Sequence, residues 1–139
     1  MYKNKKIAVV IPCYKVSKFI NKVISELPKF IDKIYVVDDC CPDNSVKKIN
    51  FKSKKLIKIY RKKNSGVGAA VKSGYRFSLK DKNDITVRID GDGQMDPNLI
   101  KKFIEPIIKN KAEFTKGNRF KNFYFINKMP IERIIGNIF

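Results

Sequence analysis

Ile7-Ala8-Val9-Val10-Ile11 is a continuous apolar run with no polar residue in alternation, and shorter runs of the same kind recur between segments of helical period. This constrains the fold more than any other feature. A strand apolar on both faces must be covered on both, and the intervening helices are what cover it. Residues 6–12 read as the first strand. Ser17 is placed to cap a helix with an apolar face of Phe19, Ile20, Val23, Ile24 and Leu27, and Pro28 stops it. A second strand at 33–37 runs into Asp38-Asp39-Cys40-Cys41-Pro42-Asp43, where Asp43 is placed to cap a short helix through Ile49. Residues 56–60 read as a third strand, 66–79 as a helix opened by glycines and 84–89 as a fourth strand. Asp96-Pro97 is a cap followed by proline at the first helical position. Leu99, Ile100, Phe103, Ile104, Ile107 and Ile108 then form the inward face of a helix that Pro106 is expected to kink. Residues 112–115 fit a short strand, 117–120 a loop and 131–139 the start of another helix. No repeat or linker divides the sequence, so its 139 residues are expected to make one α/β domain with a mostly parallel central sheet flanked by helices.

Composition removes several classes of function. Histidine is absent, which excludes Ser-His-Asp and Cys-His catalysis and every His-ligated zinc site. Cys13, Cys40 and Cys41 are odd in number and lack metal-ligand spacing, as expected of a reducing, cytoplasmic compartment. No apolar stretch approaches the roughly 18 residues of a membrane-spanning helix. The formal charge is +18, from 31 Lys+Arg against 13 Asp+Glu. Only Arg61, Arg76, Arg88, Arg119 and Arg133 are arginine, so the basic character reads as a solvated lysine surface rather than a set of phosphate forks. An anionic membrane face is the partner such a surface suits. Nucleic acid is disfavoured, because the aromatic residues fall mostly within strands and apolar helix faces, where core packing accounts for them.

In parallel α/β sheets ligands bind at the carboxyl ends of the strands, and the chemically active residues collect there. Asp90-Gly91-Asp92-Gly93-Gln94 follows the fourth strand directly. Two carboxylates at i and i+2, with Gln94 as a third oxygen, can converge on one hard cation; the alternative is a solvated acidic turn. An EF-hand is excluded, because the position that needs Glu is Lys101. Asp38 and Asp39 end the second strand, where one is expected to cap the turn and Asp39 to meet a ribose hydroxyl or base edge. Gly66 and Gly68 open a helix and serve either phosphate approach or close packing. Arg119, in Gly117-Asn118-Arg119, is either a counter-charge for a diphosphate leaving group or a surface residue.

Five segments in order resemble the family 2 glycosyltransferases of the GT-A fold, particularly their polyprenyl-phosphate (dolichyl-phosphate) mannose or glucose synthase branch. They are Val10-Ile11-Pro12-Cys13-Tyr14, Val36-Val37-Asp38-Asp39, Asn64-Ser65-Gly66-Val67-Gly68, residues 90–97 and Gly117-Asn118-Arg119-Phe120. The resemblance implies a nucleotide-sugar pocket lined by Pro12, Tyr14, Val37, Asp39, Gly66 and Gly91. It implies that Asp90, Asp92 and Gln94 hold Mg²⁺ or Mn²⁺, with Asp92 and Arg119 as catalytic residues around the diphosphate. The implied reaction is inverting transfer of a hexose from a GDP- or UDP-sugar to an acceptor, a polyprenyl phosphate ahead of a saccharide. A nucleotide- and metal-binding domain without transfer activity is the competing reading.

The sequence departs from the family pattern at Lys15-Val16, where Asn-Glu is usual, and at Cys40-Cys41-Pro42, where Gly-Ser or Cys-Ser is usual. Relatives continue beyond the position of Phe139, so the resemblance implies the nucleotide-binding part of a longer, C-terminally extended enzyme. A pyrophosphorylase would want a basic glycine-rich loop near the N-terminus. Pro12-Cys13-Tyr14 offers none.

Overall fold

The computed structural model describes residues 1–117. Arg119 and the helix expected at 131–139 lie outside them. The elements are β1 (Ile7–Cys13), α1 (Ile20–Ser25), β2 (Lys33–Asp38), β3 (Leu56–Tyr60), α2 (Val67–Lys80), β4 (Ile85–Arg88), a 3₁₀ turn (Pro97–Leu99) and α3 (Ile100–Ile108). The four strands form one parallel sheet in the order β3-β2-β1-β4. β1 is central and buried along its whole length.

The continuous apolar run is explained by the two layers it separates. Ile7, Val9, Ile11 and Cys13 face a core built with Ile20, Val23 and Ile24 of α1 and Ile100 and Ile104 of α3. Ala8 and Val10 face the opposite side, with Tyr35 and Val37 of β2, Ile59 of β3 and Ala70 of α2. Strand periodicity of two thus places alternate residues of one strand in two different cores. α2 lies close against the sheet at Gly74, where an added Cβ would stand 2.4 Å from Val10 Cγ1.

Four local expectations are corrected. Ser17 does not cap α1: the helix starts at Ile20 behind Phe19, with no side-chain cap, and the Ser17 N–H goes to Asp43 Oδ2 at 3.1 Å. Asp43 does not open a helix through Ile49 either. It holds Ser45 N–H at 2.9 Å, and residues 45–48 make a single turn. Residues 112–115 are not a strand; Thr115 Oγ1 instead donates to Phe103 O at 2.9 Å, fastening the segment to α3. The described aromatic residues are not mainly core. Tyr35 alone among those described is fully buried, whereas Tyr14, Phe19, Phe51, Tyr60, Tyr75, Phe77 and Phe114 are exposed, and isoleucine and valine fill the interior. The Asp96-Pro97 start stands as expected, with Asn98 N–H bonded to Asp96 Oδ1 at 2.9 Å, and α3 continues through Pro106 to Ile108.

Candidate functional site

The strand order creates the site. The chain passes from β1 outward to β2 and β3, then returns to the other side of β1 for β4. The connections therefore diverge between β1 and β4, and a crevice opens beyond the carboxyl ends of two such strands. Pro12 and Tyr14 stand at the end of β1, and Asp90, Gly91, Asp92 and Gln94 follow β4. Pro12 is buried, while Tyr14 is 46% exposed with Lys15 Nζ 5.5 Å from its ring centre.

Gly91 explains how the acidic loop seats itself on β1. A Cβ there would lie 3.1 Å from Val16 Cγ2 and 3.4 Å from Pro12 O, so Val16 or the loop would have to shift by a few tenths of an ångström to admit it. Gly93 has φ +75°, which a residue with a Cβ adopts only under strain. Asp92 Oδ1 accepts the Gln94 N–H at 3.0 Å, folding the loop back on itself. Asp90 Oδ1 accepts from both Nε and Nη2 of Arg88, at 2.9 and 2.8 Å. Among the described residues its second oxygen takes no hydrogen bond. Among the described residues no three His, Cys, Asp or Glu gather as a metal cluster. The donors expected from the sequence, two carboxylates and the Gln94 amide, are all oxygen, the kind of ligand a hard divalent cation takes.

Asp38 and Asp39 divide the work at the end of β2. Asp38 Oδ1 accepts the Cys41 N–H at 2.7 Å and so fixes the turn, as expected for one of the pair. Asp39, 4% exposed in its side chain, has Arg61 Nε 3.4 Å from Oδ1 and the Ser65 N–H at 3.3 Å. Arg61 follows β3, and its own N–H bonds Asp38 O at 3.0 Å. Arg61 Nη1 is buried with no hydrogen-bond partner among the described residues. A buried donor left so costs about 1–3 kcal/mol. Val37 is wholly buried in the α2-side core, so its side chain is structural.

Gly66 has φ +84° and caps α2; a Cβ at Gly66 or Gly68 would meet nothing within 4 Å. Close packing therefore does not explain either glycine. That role belongs to Gly74. Asp43 ties the loops after β1 and β2 together, taking hydrogen bonds from Cys41 Sγ at 2.6 Å, from Ser45 Oγ and from Ser17 N–H. Partial burial works to raise its pKa, but these donors outweigh it and hold the carboxyl well below the usual range. All three cysteines are free, and burial pushes the Cys13 thiol far up, making it an inert apolar residue.

Sequence reading missed Arg61 and Arg88 as site residues. Both signals were present: Arg61 immediately follows a strand, and Arg88 stands two residues before Asp90, a spacing that sets side chains on one face of an extended chain.

A family profile described as "Glycosyl transferase family 2" matches residues 8–137. The chain is 33% identical to the UDP-N-acetylglucosamine–dolichyl-phosphate N-acetylglucosaminyltransferase of Methanococcus voltae, over 97% of this chain and 60% of that protein. It is 30% identical to the dolichol-phosphate mannosyltransferase of Pyrococcus furiosus, over 89% of this chain and 38% of that one. The crystal structure of S. aureus TarS 1-349 in complex with UDP-GlcNAc superposes with TM-score 0.53 at 20% identity, covering 84% of this chain and 38% of that one. The described sheet and its flanking helices have the GT-A architecture. The chain spans 60% or less of the length of these proteins. With a match running through nearly its whole sequence, the chain belongs to glycosyl transferase family 2.

Proposed function

We propose that the chain carries the nucleotide-sugar site of a metal-dependent, inverting glycosyltransferase that moves a hexose or N-acetylhexosamine from a nucleoside-diphosphate sugar to a polyprenyl phosphate. The observation that carries this reading is the Asp90-Gly91-Asp92-Gly93-Gln94 loop, seated on the end of β1 where the strand order reverses. Family membership and the names of the dolichyl-phosphate relatives support the same reaction class.

Asp90, Asp92 and Gln94 would hold Mg²⁺ or Mn²⁺. A divalent cation there supplies positive charge for the departing diphosphate. The Gln94 N–H fixes the Asp92 carboxylate before any ligand arrives, so little reorganisation is needed on binding. Arg88 holds one Asp90 oxygen and leaves the other available. A phosphate monoester acceptor, with a second pKa of about 6, is largely ionised at neutral pH and asks for no general base from the protein. Arg119, outside the described residues, keeps its proposed role beside the diphosphate. The lysine-rich exterior suits work at the cytoplasmic face of an anionic membrane.

Thermal shift with GDP, UDP, their sugar conjugates and ATP, each with and without Mn²⁺, tests this on the wild type and Asp92→Ala. A ligand at about 100 times its Kd should add roughly 2.7 kcal/mol, several degrees in a domain of this size. One diphosphate nucleotide is expected to stabilise the wild type only with Mn²⁺, and Asp92→Ala to abolish the effect. Stabilisation indifferent to Mn²⁺ and to Asp92→Ala would refute the metal loop.

A further inference from the structure

α2 packs on the Ala8 and Val10 face of the sheet and buries Ala70, Val71, Gly74 and Ser78. Its outward side carries two kinds of residue. Tyr75 and Leu79 stand four apart, and Leu79, 78% exposed, is the most exposed large apolar residue among those described. Lys72, Arg76 and Lys80, also spaced by four and exposed, run beside them as a second stripe. No acidic residue lies between Gly66 and Lys80, and the next one, Asp81, accepts a hydrogen bond from the Tyr35 hydroxyl at 2.7 Å. Among the described residues none of the three cations has an ion-pair partner.

We propose that the outward face of α2 is where the protein lies on an anionic bilayer, with Tyr75 and Leu79 entering the headgroup layer and Lys72, Arg76 and Lys80 meeting lipid phosphates. A stripe of three cations without an acid gives this face one sign, and anionic lipid is its complement. Leu79 decides between lipid and nucleic acid. An exposed aliphatic side chain offers a base neither a hydrogen bond nor a stacking plane, whereas burial among acyl chains removes it from water. The long stems of Lys72, Arg76 and Lys80 let their charges stay in the wet layer while their apolar neighbours go deeper. α2 also begins beside the site, since the Ser65 N–H just ahead of it faces Asp39. A bilayer along this helix therefore keeps the strand ends near a lipid-borne acceptor. That purpose rests on the polyprenyl-phosphate reading above, but the docking needs neither nucleotide nor acceptor, so the two can fail separately.

The test is sedimentation of the whole chain with vesicles of mixed phosphatidylglycerol and phosphatidylcholine at about 100 mM salt. Lys72→Gln/Lys80→Gln is expected to weaken partitioning at least tenfold. Lys101→Gln/Lys102→Gln removes the same charge from exposed positions on α3, across the sheet, and should weaken it by no more than about threefold. Equal weakening by the two pairs, or none by the α2 pair, overturns the assignment. So does a wild type that ignores the vesicles, or one that prefers single-stranded RNA to them. The sequence contains no tryptophan, so Leu79→Trp gives a second readout that leaves every charge in place. Its emission should shift to the blue on the anionic vesicles and be quenched by brominated acyl chains. Bound protein with unshifted, unquenched emission counts against α2 as the inserted face, and decides the matter if a charge variant does not fold.

Discussion

At the residue scale, the site depends on side chains that spend their polar atoms on neighbouring loops. Asp43 is the clearest case, since its carboxylate joins the segments after β1 and β2 through Cys41, Ser45 and Ser17. Its folded pKa lies below the unfolded value of about 4. The carboxylate therefore contributes stability that is present above that value and lost as pH falls through the acid range. Urea midpoints of the wild type and Asp43→Asn should differ most near neutral pH, and the gap should narrow toward pH 3. A gap that stays constant with pH would remove the charge from the explanation. Asp38, Asp39, Asp90 and Asp92 were all legible in sequence as strand-end carboxylates, but not their partners. Which of Asp38 and Asp39 fixes a turn and which pairs with Arg61 depends on where the end of β3 lies, tens of residues away in sequence.

At the scale of elements, the long apolar runs were read with errors of a residue or two at their ends, while the short segments failed. Residues 112–115 have strand-like composition, yet a strand exists only where a neighbour pairs with it, and this segment is held by Thr115 on α3 instead. The segment after Asp43 stops at one turn, 45–48, although Asp43 Oδ1 accepts the Ser45 N–H as a cap would; Asp43 Oδ2 and Ser45 Oγ accept the Ser17 and Val16 N–H groups of the β1 loop instead of extending a helix. Glycines of α2 show how packing decides the meaning of one residue type. Gly74→Ala would drive a methyl group into Val10 and is expected to destabilise by about 1–3 kcal/mol despite better helix propensity. Gly68→Ala adds its methyl in open space and should stabilise by up to about 1 kcal/mol. Chemical denaturation of the two variants checks both signs, and a stabilising Gly74→Ala would contradict the close approach of α2 to β1.

At the scale of the whole molecule, the formal charge of +18 surrounds a core of isoleucine and valine. If that charge serves a membrane face, vesicles with anionic phosphatidylglycerol should bind the protein at about 50 mM salt and release it at about 500 mM, where screening shortens to a few ångströms. Neutral vesicles should not bind. Equal binding to both kinds in sedimentation would point to the exposed aromatic side chains instead. The class of fold, the double-sided burial of β1 and the loop that bears Asp90, Asp92 and Gln94 were legible in the sequence, because apolar period, caps and glycine punctuation act over a few neighbouring residues. The order β3-β2-β1-β4, the seating of Gly91 on β1 and the pairing of Asp39 with Arg61 were settled by the folded chain. Those depend on which distant segments meet, and backbone pairing and close packing resolve that only when the whole chain has folded.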